Sequence, residues 1–350
     1  MWLQMVEEPQ PELHLTNPQP TLPRLELPVL ARLTLVTRVR RWGSGAQADS
    51  IFRSLMLLGA LSLVGVIGLI VFELIYNCRP SLAKFGWRFF ITNSWDPVAG
   101  DFGALAFVYG TLLSSLVALV IAIPLGIAVA VFINEICPRS LRKPLSFAIE
   151  LLAAIPSVIF GLWAIFMLAP VLRSHLEPFL ANYFGWTGLF SGPAYGIGML
   201  AAGIILAIMI VPIICSISRE VMLTVPQQQR EAVLALGATQ WEMIRIGVLR
   251  NARAGILGAI TLGLGRALGE TMAVTMVIGN SPDIVKSLFA PGYTMASVIA
   301  NELNEAMTSL HRSALIEIGL ALFMVTLVVN AFARLLVWTA KRGMSARVHA

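Results

Sequence analysis

The stretch GLGRALGETMAV, Gly263 to Val274, sets an arginine and a glutamate four residues apart inside an apolar run. Around it, residues 252–279 reach the roughly 20 apolar residues of helix that cross a bilayer core. Five further segments do the same: 54–76, 106–133, 147–172, 194–218 and 313–338. Hydrophobic residues make up 57% of the chain and charged ones 13%, with a mean hydropathy of +0.80, well away from the balance of soluble domains. The expected fold is all-α and membrane-embedded, with six transmembrane helices. Pro124, Pro156 and Pro212 fall inside spans, where neighbouring helices can satisfy the freed carbonyls, so kinks are expected.

The net charge of +6 follows the spans. Of 25 Lys and Arg residues, 18 lie in segments 1–53, 134–146, 219–253 and 334–350 and 6 in the alternate loops, leaving only Arg266 within a span. By the positive-inside rule both termini and the loop at 219–251 face the cytoplasm. This bias accounts for the charge without nucleic acid. Residues 1–50 contain six prolines in the first 28 positions and read as a disordered cytoplasmic tail. They do not form a signal peptide, because Glu7, Glu8 and Glu12 precede any basic cluster. Residues 51–340 make up the membrane domain, and 341–350 a short basic tail.

The outward loops carry Trp87, Phe89, Phe90 and Trp95, then Phe179, Tyr183, Phe184 and Trp186. Most of these are expected in an interfacial belt, with a docking surface for an external partner as the alternative. Cys78, Cys137 and Cys215 and the four histidines show no metal-ligand spacing, so no catalytic metal is indicated. GIGMLA, Gly196 to Ala201, imitates a dinucleotide fingerprint but opens a membrane helix with no strand before it. GLGRALGET lacks the Gly-Lys-Ser/Thr ending of a phosphate loop. No ATP site is expected. The glycines are assigned to close helix approach, with Gly265 and Gly269 at small-x-x-x-small spacing.

The loop SREVMLTVPQQQREAVLALGATQWEMIRIGVLRNARAG begins at Ser218. Ala232, Leu234, Ala235 and Leu236 would form a short helix with a small apolar surface, and Gly237 can supply the left-handed turn that ends it. Such an element can enter a groove on a partner or lie on lipid. Trp241, Ile244 and Val248 follow at helical spacing as an apolar stripe.

Glu231-Ala232-Val233, Gly237, Ile246 and Leu249 resemble the E-A-A signature of permease subunits in bacterial ATP-binding-cassette importers. In that family the loop transmits the movement of the ATPase. Val233 stands at the third position of E-A-A and Arg250 where the family usually has proline, which removes a fixed backbone angle at the loop's exit. LLAAIPSVIFGLWAIF (Leu151 to Phe166), EAVLALGATQWEMI and LGRALGETMAVTMVIGN (Leu264 to Asn280) are similar to phosphate-specific importer permeases, over roughly residues 54–340; the last resembles their C-type subunit.

The resemblance implies a MetI-like, type I importer permease in the bacterial inner membrane, and no enzyme activity of its own. The implied partners are a sister permease, two copies of a cytoplasmic ATPase that bind ATP and magnesium, an extracytoplasmic phosphate-binding protein, and lipid. Glu231, Ala232, Leu236 and Gly237 would dock the ATPase. A permease for molybdate or sulfate is the nearest alternative, and an ion-coupled secondary transporter a more distant one. A membrane enzyme acting on phosphate-containing lipids would need a nucleophile or metal cluster that the sequence does not show.

An arginine at mid-bilayer costs about 2.5–3.5 kcal/mol. On one continuous helix Arg266 and Glu270 would stand about 40° apart, on one face with Ala273, and an ion pair between them is geometrically possible. The pair either fixes helix orientation or lines the translocation path, where a guanidinium meets an oxyanion through two hydrogen bonds. In the second case Glu270 neutralises Arg266 until the anion arrives, and its carboxylate suits an anion that retains a proton. Thr271 and Thr275 are expected to bond their own helix backbone, and Glu150 and Glu317 to be solvated at the membrane edge.

Overall fold

The computed structural model describes residues 45–348; residues 1–44 of the proline-rich tail and the end of the basic tail lie outside the described residues, and residues 45–50, expected to be disordered, are helical. The chain falls into two units, Met1–Ile67 and Gly68–Ala350. Helix α1, Gly45–Asn77, begins in the first unit. From Leu55 on its side chains there are mostly apolar and exposed, Leu58, Leu61 and Val64 among them. A helix apolar all round is built for a membrane.

In the second unit, α2 (Arg79–Phe85) leads to a two-residue antiparallel ladder, β1 (Trp95–Asp96) with β2 (Asp101–Phe102). Then come α3 (Leu105–Ile136), which ends in a π turn, α4 (Arg139–Ala153), α5 (Ser157–Thr187) and α6 (Met199–Leu223). They are followed by α7 (Gln227–Ala235), α8 (Arg250–Leu268), α9 (Met272–Val277), α10 (Met295–Glu302) and α11 (Ser309–Val348).

Among the described residues, five helices are long and apolar enough to cross a membrane: Ala48–Asn77, α3, α5, α6 and Ser309–Leu335. Two of the six expected spans differ. The third starts later, because the backbone leaves the helix between Ala153 and Ser157, where Pro156 can neither donate an amide hydrogen bond nor leave its predecessor helical. Residues 147–153 instead end α4, an amphipathic helix that buries none of its side chains in this chain. Such a helix, with Arg139, Arg142 and Lys143 in its first turns, is suited to lie along a membrane interface.

The fifth expected span, 252–279, is broken into α8 and α9 by non-helical residues 269–271. With 19 residues α8 measures about 28 Å, close to the thickness of a bilayer core. Arg250 extends rather than disturbs the loop's exit: the helix runs unbroken from 240 through the π segment Met243–Leu249 into α8.

The core is built on α6. Ala202, Ile205, Ile210 and Ile214 are wholly buried there, and α3 meets them with Ala118 and Ala122. Small residues set the approach: a Cβ on Gly126 would lie 2.9 Å from Ile214 Cγ2, and one on Gly203 would collide with Val117. A second cluster gathers Phe89, Phe102, Phe107, Tyr293, Leu315 and Ile318 at the start of α3. A third gathers Ile133, Cys215, Met222, Met243, Ile244 and Val248 at its end, about 40 Å away along the helix.

Candidate functional site

The break in the fifth segment places the two charges. Helix α8 stops at Leu268, Gly269 adopts φ −96° and ψ 3°, and Thr271 precedes α9. Glycine, with the β-branched Thr271 two residues on, weakens the ladder at this point. Arg266 is therefore on the last helical turn and Glu270 off the helix, so the expected alignment on one face does not hold. No ion pair joins them among the described residues. Arg266 is exposed on this chain and Glu270 half-buried. The Glu270 carboxylate turns towards the start of α9, with Oε1 3.5 Å from the Ala273 amide nitrogen, where a negative charge is favoured. Arg266 in turn complements the C-terminal end of α8. An exchange of Arg266 between Glu270 and an anion thus loses the geometry on which it rested.

Buried non-helical backbone needs partners within the protein, and the segment after α9 finds them. The α6 entrance is stitched to the segment after α9: Gly198 N donates to Val277 O at 2.9 Å, Met199 N to Ala290 O at 3.1 Å and Leu200 N to Leu288 O at 2.8 Å. Gly292 N reaches Ile278 O at 2.9 Å and Ser281 N reaches Gly292 O at 3.1 Å. Gly198 of GIGMLA serves this close approach, since a Cβ there would lie 2.5 Å from Phe289 O, while Gly196 is crowded by Ala169 and Arg173 of α5. On the other side, α9 packs its Ala273 and Met276 against Gly161 of α5. Thr275 Oγ1 donates to Thr271 O at 2.7 Å and Thr271 Oγ1 to Gly269 O at 3.4 Å, as expected of threonines that bond their own backbone.

Gly265 and Gly269 are not the crowded glycines of this chain. The nearest atom to a Cβ on Gly265 would be Asn330 Oδ1 at 4.0 Å, and on Gly269 the Gly265 carbonyl at 3.7 Å. Close approach falls instead to Gly263, 3.1 Å from Ile214 Cγ1 on the same measure.

The loop from 224 to 249 forms a hairpin of helices. Helix α7 ends at Ala235, and Gly237 turns the chain with φ +84°. Thr239 then caps the next helix: its hydroxyl accepts from Glu242 N while the Glu242 carboxylate accepts from Thr239 N at 2.8 Å. These bonds, the backbone one first, hold the Glu242 carboxyl below the usual carboxylate range. Glu231, Ala232, Leu236 and Gly237 are all exposed, Leu236 at 89%. Of the expected apolar stripe, Ile244 and Val248 are buried, whereas Trp241 stays exposed.

Three features escaped the sequence reading. Arg230 and Glu135 form an enclosed ion pair, 2.8 Å apart. Glu177, 1% exposed, accepts a hydrogen bond from Gly196 N at 2.9 Å and so clamps the approach to α6. Glu317 is fully buried rather than solvated, because α2 folds over α11 and puts Ser81 and Ser313 beside it. Glu150 is exposed and faces Arg219 at 3.5 Å. The expected aromatic belt is divided too: Trp87, Phe179, Tyr183 and Trp186 are exposed, while Phe89 is core and Trp95 stacks edge-on against Phe102 and Phe107.

Residues 122–339 match the family model described as the inner membrane component of binding-protein-dependent transport systems. The chain is 46% identical over 300 residues to the phosphate transport system permease protein PstC of Mesorhizobium japonicum, covering 85% of this chain and 91% of that protein. It is 41% identical over 307 residues to the protein of the same name from Haemophilus influenzae, covering 87% and 97%. The chain belongs to this permease family. It is accordingly a multi-pass inner-membrane component of a binding-protein-dependent transport system. A bacterial ABC transporter involved in the import of the acidic polysaccharide alginate shares the fold, with a TM-score of 0.56 over 84% of this chain and 99% of that one at 16% identity.

Proposed function

We propose that this chain is one permease subunit of an ATP-driven inorganic phosphate importer, forming half of the translocation pathway and coupling it to a separate ATPase. The observation that carries the coupling role is the α7–Gly237–Thr239 hairpin, which offers Leu236 and the face of Glu231 and Ala232 to a partner while its second arm is rooted in the core. The phosphate relatives supply the substrate. The assembly is this chain with a sister permease, two ATPase copies that bind ATP and magnesium, and an extracytoplasmic phosphate-binding protein, and both termini are cytoplasmic.

Arg266 lines the pathway. It ends α8 at a helix break, and its exposure on the isolated chain suits a surface completed by the sister subunit. Gly265 and Gly269, which no atom of this chain crowds, suit close approach of that subunit. A guanidinium there meets phosphate through two hydrogen bonds, and Glu270 stands beside the break as a carboxylate able to accept a hydrogen bond from an anion that retains a proton. Reconstituted vesicles holding both permeases, the ATPase and the binding protein should take up phosphate on ATP. Uptake that follows an ion gradient without ATP, or that carries molybdate or sulfate and not phosphate, would overturn the reading.

A further inference from the structure

Helix α7 buries none of its side chains, so apolar packing alone does not fix it to the membrane helices. Its hold is polar. Arg230 Nη1 lies 2.8 Å from Glu135 Oε1 and 2.9 Å from Oε2, and Nη2 donates to the Met222 carbonyl at 2.8 Å. Asn134 Nδ2 donates to Glu135 Oε1 at 2.8 Å and steadies the carboxylate. On the neighbouring residue, Gln229 Oε1 accepts from Asn251 Nδ2 at 2.9 Å, and the same Nδ2 reaches Gly247 O at 2.7 Å.

The Arg230 and Glu135 side chains are 13% and 5% exposed. Enclosed ion pairs stabilise little compared with apolar replacements, but a planar guanidinium held at three points is directional and stiff. Its two anchors matter. Glu135 stands in the π turn that ends α3, and Met222 in the last turn of α6, the two helices that pack along each other through the core. Among the described residues α7 sends no ion pair to other membrane helices, and its side-chain link to α8 is the neutral Gln229–Asn251 hydrogen bond.

We infer that Arg230 is a positioning residue that, through Glu135 and the Met222 carbonyl, delivers displacement of α7 to α3 and α6. This rests on the proposal that α7 and Leu236 dock an ATPase. A partner pushing on the exposed tip moves α7 as a rigid piece, and the stiffest links out of that piece lead to the ends of α3 and α6. Without them α7 can yield while the core helices stay in place.

The test is made in vesicles containing the full complex, reading phosphate uptake, ATP hydrolysis and co-purification of the ATPase together. Arg230→Met is expected to keep the ATPase bound and hydrolysing while phosphate moved per ATP falls roughly tenfold or more. Glu135→Gln keeps an acceptor oxygen and should lose less. If Arg230→Met does not assemble, the same ratio in Glu135→Gln decides. A wild-type ratio overturns the inference, as does a proportional fall of uptake and hydrolysis with the amount of bound ATPase, which is what a merely structural role would give. Leu236→Asp separates the two proposals: it should release the ATPase, and an ATPase that stays bound and active would sink docking at this tip whatever Arg230 does.

Discussion

Arg266 carries the sharpest expectation at the scale of the residue. A charged hydrogen-bonding contact is worth about 1.5–3 kcal/mol, so Arg266→Leu should lower phosphate uptake by roughly 10- to 100-fold while the complex still assembles. Undiminished uptake in an assembled variant would remove Arg266 from the pathway. Glu270→Gln tests a separate point: unchanged rate and unchanged preference for phosphate over sulfate would end any role of its carboxylate in sensing the anion's proton. The sequence made both residues conspicuous because charge in an apolar run is costly. It did not reveal that Gly269 ends the helix between them, since glycine inside a membrane segment is also compatible with continuous helix. Arg230 and Glu135 were hidden for the opposite reason. Each lies in a polar stretch where charge is ordinary, and 95 positions separate them.

Among the elements, the hairpin at 224–249 was the most legible. Gly237 took the left-handed turn its position suggested, and the helix after it is closed by a capping box that Thr239 and Glu242 encode at the proper spacing. Because the folded state holds the Glu242 carboxyl below its usual range, this contribution is present above the unfolded carboxylate pKa. It is lost as pH falls through the lower folded value. Thr239→Ala should therefore speed amide exchange at 240–243 by about fivefold, the size of one helix cap, with a smaller difference in acid.

The α3–α6 contact offers a packing test. Gly203→Val forces a side chain into Val117, and overpacking of this kind costs about 1–3 kcal/mol, visible as a lowered melting temperature of the purified complex. The third and fifth spans were misread at their ends because hydropathy adds up apolar residues without regard to whether the backbone stays helical. Pro156 and Gly269 decide that locally.

For the whole molecule, the charge bias predicts an orientation that labelling can check. Val98 is 98% exposed and Leu236 89%, on segments assigned to opposite sides of the membrane. A membrane-impermeant thiol reagent should reach Val98→Cys from outside intact cells and Leu236→Cys only after permeabilisation; the reverse pattern would invert the topology. The background is low, because Cys78, Cys137 and Cys215 are free and buried, and burial pushes the Cys78 thiol above its usual range.

The seam between the α6 entrance and residues 277–292 has a consequence for how the chain can vary. Nearly all its links run from main chain to main chain, so they place few demands on side-chain identity. Most positions from 282 to 286 can drift in sequence without loosening it, whereas Gly198 and Gly279, where any Cβ meets Phe289 O or Pro291, cannot. This seam is thus held in heredity by two residues with no side chain at all.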